Sequence, residues 1–60
     1  SNRNTDSISD ELKSFMDYHE IKSVKVLMEM SNETLFKLKG MTMHLMTEIY
    51  SLRNQKMYED

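Results

Sequence analysis

Sixty residues make one small domain at most, and a chain this size buries only about 60% of the surface its unfolded form exposes. With 38% hydrophobic residues the core is thin, with no room for a substrate pocket beside it, which argues against an enzyme; with no cysteine there is neither a disulfide staple nor a thiolate metal site, so stability rests on packing or on a partner. A net charge of -2 and eight scattered Lys and Arg lack the basic stripe that drives nucleic-acid affinity, and no apolar run is long enough to cross a bilayer, so the expected setting is cytoplasmic or nuclear.

Residues 1–7 are polar throughout and read as a flexible linker or tag remnant. A single helical domain is expected over 8–57, with a frayed end at 58–60. Ser7 and Ser9 are both candidate N-caps for a first helix over about 9–18. Asp10 and Glu11 suit its positive end, and Ile8, Leu12, Phe15 and Met16 fall at helical spacing. Asp17-Tyr18-His19-Glu20 ends that pattern, with Ile21 as an apolar plug in the turn. Ser23 caps a short second helix carrying Val24, Leu27 and Met28. Ser31 caps a third, with Glu33 in its first turn and Leu35, Phe36 and Leu38 as core candidates. Gly40, the only glycine, follows Lys39 where a helix C-terminus wants a left-handed residue. Thr42 then caps the longest helix, about 43–56. No proline interrupts these helices, and no period-2 alternation argues for strands.

Candidate chemistry is sparse. His19 and His44 have no Cys, no second His and no paired carboxylate at ligand spacing, so solvated or partner-facing imidazoles are expected, and neither metal nor cofactor. Asp10-Glu11 and Asp17 to Glu20 read as helix-end and turn acids rather than acid–base pairs. The Asn32-Glu33-Thr34 sequon reads as capping chemistry. Methionine is abundant, with seven in the chain. Met16, Met28, Met30 and Met46 are expected as core filler, since the flexible thioether fills irregular gaps.

The run from a first helix through Ile21, Ser23-Val24, Leu27, Met30-Ser31, Leu35 and Leu38 to Glu48-Ile49 resembles the C-terminal domain of the bacterial RNA polymerase α subunit. It aligns without gaps from about Glu11 to Arg53, mostly at core and cap positions. The resemblance implies a compact four-helix fold whose DNA grip uses basic and hydroxyl-bearing residues. At those positions this chain has Glu11, Ser14, Gly40, Thr42, Met43, His44 and Leu45, and only Lys37 persists from the basic set. A second resemblance is to the later half of a sterile alpha motif (SAM) domain. It rests on Met30-Ser31-Asn32-Glu33-Thr34-Leu35 followed by Lys39-Gly40-Met41 and a long helix.

The expectation is therefore an all-α, SAM-like or helix-hairpin-helix-like bundle of four short helices, the C-terminal one longest. Its expected role is non-catalytic docking in a transcription-linked or regulatory protein. A protein partner or a second copy of the chain is favoured over nucleic acid, with no membrane and no small-molecule substrate. DNA binding of the α C-terminal type and SAM-like self-association are the alternatives. The expected partner face comprises Glu11, Ser14, Lys37, Gly40, Thr42, Met43, His44 and Leu45. Two helical phases are open at Leu45. With Met46, Ile49 and Leu52 or Arg53 buried, Met43 is partly covered and Leu45 is a contact residue; with Leu45, Ile49 and Leu52 buried, it is core.

Overall fold

The computed structural model describes the backbone of residues 8–59 and the side chains of residues 8–55. The expected linker at 1–7, the Ser7 cap and residue 60 lie outside the described residues. The described residues form four helices: α1 (Asp10–Tyr18), α2 (Val24–Glu29), α3 (Asn32–Lys37) and α4 (Met43–Glu59). No strand occurs among the described residues. With neither Gly nor Pro after Gly40 to stop it, α4 runs past the expected end at 56.

Each helix begins at a hydroxyl residue that accepts one of the orphan first-turn N–H groups. Ser9 accepts from Leu12, Ser23 from Val26, Ser31 from Thr34 and Thr42 from Leu45, all at 3.1 Å. The ends differ more. After α1, Ile21 N–H donates to the Met16 carbonyl and Glu20 N–H to that of Asp17, the paired bonds of a Schellman motif. That motif needs a left-handed residue, and Glu20 takes the position at φ 58°. Ile21 then turns into the core beside Phe15 and Met16. Gly40 does something other than cap a helix. Helix α3 has already ended at Lys37. Gly40, at φ 91°, is the third residue of a turn in which Met41 N–H donates to the Leu38 carbonyl, the place where a type II turn demands positive φ.

One fully buried aliphatic comes from each helix: Leu12, Leu27, Leu35 and Ile49. Ile8, Phe15, Met16, Ile21, Leu45 and Met46 complete the buried cluster, with Val24, Met28, Met30, Leu38, Met41 and Leu52 packed at its edge. Of the apolar residues expected inside, Phe36 is the exception at 59% exposed, because the short α3 turns Leu35 inward and leaves its neighbour outside.

Two polar ties fix α4 on this core. Glu48 accepts from Ser9 twice, from the backbone N–H at 2.7 Å and the hydroxyl at 2.6 Å. At the other end of the bundle, the Arg53 guanidinium donates to Asn32 Oδ1 at 2.6 Å and to the Met30 carbonyl at 2.7 Å, so it satisfies the C-cap of α2. Asn32 Nδ2 in turn donates to the Tyr50 hydroxyl at 3.3 Å. Both ends of the sequon asparagine are thus engaged, while the α3 cap itself is Ser31.

Candidate docking face

Along one side of α1, Glu11, Ser14 and Tyr18 follow at spacings of three and four and so share a face. Opposite them the Lys39–Gly40 turn and Leu45 of α4 close a shallow groove of about 410 Å³ over Phe15. His19 ties the turn to α1. As the C-cap of α1, its Nε2–H donates to the Lys39 carbonyl at 2.7 Å, and its ring rests against Phe15 and Tyr18 at centroid distances of 4.6 and 4.9 Å. A carbonyl only accepts, so the proton of this ring sits on Nε2. His19 is therefore a structural tie and not the solvated or partner-facing imidazole expected.

At the other end of the groove His44 Nδ1 stands 4.0 Å from Glu11 Oε1, with both side chains largely exposed. Such a pair contributes little on its own. A second, smaller groove of about 290 Å³ lies across the same turn, lined by Phe36, Leu38, Gly40, Met41, Thr42, Met43 and Met46. Gly40 lines both.

The face expected from sequence is thus only partly assembled. Glu11, Ser14, Gly40 and Leu45 line one groove, Thr42 and Met43 line the other, and His44 flanks the first. Lys37, in the last turn of α3, lines neither. Leu45 must be corrected: at 2% exposure it is core and forms the wall of the groove from within, not a side chain offered to a partner. The phase with Leu45, Ile49 and Leu52 inside is the one observed, with Leu52 at the edge of the core, and Met46 is buried as well. Residues 45 and 46 are 100° apart and straddle the line from the α4 axis to the core, so each is buried along with Ile49. Met43, expected to be partly covered in the other phase, is 80% exposed at the first position of α4.

Tyr18 and Lys39 are site residues that the sequence pattern did not single out. Tyr18 is 67% exposed and borders the apolar hollow. Among the described residues no three His, Cys, Asp or Glu side chains converge as a metal site, and no buried side-chain polar atom lacks a partner. No described helix is long and apolar enough to cross a membrane.

Set against protein-family models, curated proteins and solved structures, the chain matches none of them.

Proposed function

We propose that this chain is a non-catalytic helical docking module that binds another protein through the α1 groove. One observation carries this role: an apolar hollow lined by Phe15, Gly40 and Leu45 stays open between Glu11, Tyr18 and Lys39. An apolar centre with a polar rim is the anatomy of a protein interface. Glu11 and Lys39 give the hollow a charged border. A regulatory or transcription-linked parent protein is supported by the sequence resemblance to the RNA polymerase α C-terminal domain. DNA binding of that domain's type is disfavoured by Glu11 on the groove and by Arg53, whose guanidinium is occupied inside the fold.

The test is site-specific photo-crosslinking in cells. A photoreactive residue at Ser14, on the groove rim, is compared with one at Lys25, on the exposed side of α2. Discrete protein adducts from position 14 that vanish when Tyr18→Asp is added support docking at the groove. Identical adducts from both positions, unaffected by Tyr18→Asp, would refute it. Titration with duplex DNA at low salt separates the other reading: sub-micromolar affinity that falls steeply as salt rises would move the function to nucleic acid.

A further inference from the structure

The two ends of the α1 groove carry opposite charge. Glu11 sits in the first turn of α1, and Lys39 is held beyond the helix's last turn by the bond from His19 to its carbonyl. Eight residues at 1.5 Å rise carry the α1 backbone about 12 Å from Glu11 to His19, the residue bonded to the Lys39 carbonyl. Between them the lining is Phe15, the bare backbone of Gly40 and the flank of Leu45, with Tyr18 at the Lys39 end. Among the described residues Glu11 has His44 as its one ionic neighbour, at 4.0 Å, and Lys39 has none. Both charges are therefore available to a bound chain.

We infer that the occupant of this groove is a helical peptide segment of a partner protein that presents one bulky aliphatic side chain between a basic and an acidic residue, each about one helical turn away. This inference rests on the docking role above and specifies its ligand. The aliphatic side chain fills the hollow beside Gly40, where the missing Cβ leaves room; a Cβ there would stand 3.9 Å from Phe15. The base meets Glu11 and the acid meets Lys39. Two helical turns of the segment span about 11 Å, close to the rise of α1 from Glu11 to His19, the residue that holds the Lys39 carbonyl. A uniformly basic or uniformly acidic segment matches one end and is repelled at the other.

The test uses synthetic 15-residue helical peptides of one Ala-rich background with Leu at the centre. Lys and Glu are placed four residues to either side in three pairings: Lys/Glu, Lys/Lys and Glu/Glu. Binding is read by NMR chemical-shift titration of the whole chain, wild type and two variants. The wild type is expected to bind the Lys/Glu peptide best. Glu11→Lys makes both ends basic and should shift the preference to Glu/Glu, and Lys39→Glu should shift it to Lys/Lys. Each swap should be worth about two- to fivefold in affinity, as for rim ion pairs, and should shrink with added salt. Replacing the central Leu by Ala should abolish binding to all three forms. An unchanged rank order in both variants overturns the inference, and so does peptide binding that shifts residues outside the groove. Concentration-dependent shifts at Ser14, Tyr18 and Gly40 without peptide would give the groove to a second copy of the chain and also overturn it. If no peptide binds but Ser14 still crosslinks a protein, the ligand chemistry is wrong while the docking role stands; if both fail, the docking role falls too.

Discussion

Among the described residues two hold positive φ, Glu20 and Gly40, and they predict opposite responses to substitution. Glu20 occupies the left-handed position of the Schellman turn with a Cβ that the conformation disfavours by about 1–2 kcal/mol. Glu20→Gly removes that strain at some cost in unfolded-chain entropy, so denaturant titration should show a net gain of about 0.5–1 kcal/mol. Gly40→Ala goes the other way. Its new Cβ meets only an ordinary contact at 3.9 Å, so the loss of about 1–2 kcal/mol comes from backbone strain at φ 91°. Side-chain burial separates another pair. Leu45→Lys buries an unpaired ammonium and should unfold the domain, whereas Met43→Lys changes an exposed position and should shift stability by no more than about 0.5 kcal/mol. Melting curves for the two variants check this directly: a folded Leu45→Lys protein would contradict the burial. From sequence alone Leu45 was undecidable, because residues one apart on a helix can both flank a buried stripe and apolar character does not say which does.

At the scale of elements, the helix starts were legible and the ties between helices were not. A cap is local: a hydroxyl residue just before an apolar pattern suffices to place it, and Ser9, Ser23, Ser31 and Thr42 all act so. The α1 terminus also needs an acceptor for the backbone N–H of Ser9, which a capping box draws from the third helical residue. That residue is Leu12, committed to the core. Glu48, 39 residues away in sequence, supplies the acceptor instead. Nothing in the spacing of residues 9–18 announces such a partner. Glu48→Ala should therefore leave the Ser9 N–H and hydroxyl to water and cost about 1–2 kcal/mol. Ser9→Ala should cost about 1 kcal/mol through its own cap. Because the two residues share their bonds, the double variant should lose less than the sum, a coupling that a double-mutant cycle measures. Strict additivity would mean that α1 and α4 are not tied at this point.

At the scale of the whole molecule, periodicity predicted the core well because each helix has one residue that every phase of its pattern keeps inside: Leu12, Leu27, Leu35 and Ile49. The groove was less legible. Glu11, Ser14 and Tyr18 follow from the α1 spacing, but Lys39 joins them only because His19 holds the turn against α1, a long-range bond with no sequence period. The same thin core sets how the domain fails. Sixty residues at ordinary per-residue stability amount to about 3–9 kcal/mol. Replacing a fully buried leucine by alanine costs about 2–5 kcal/mol, since the transfer energy is lost and a cavity is left. Leu27 stands on the six-residue α2, which contributes no other fully buried side chain and has little intrinsic helical stability at that length. Leu27→Ala should release α2 from the bundle, expose Met28 and Met30, and unfold most molecules at room temperature. Circular dichroism would then show a loss of helix well beyond the α2 residues, because α3 and α4 lose the surface they pack on. Loss of signal from α2 alone, with a cooperative melt preserved in the remainder, would show instead that α1, α3 and α4 form an independent core to which α2 is only attached.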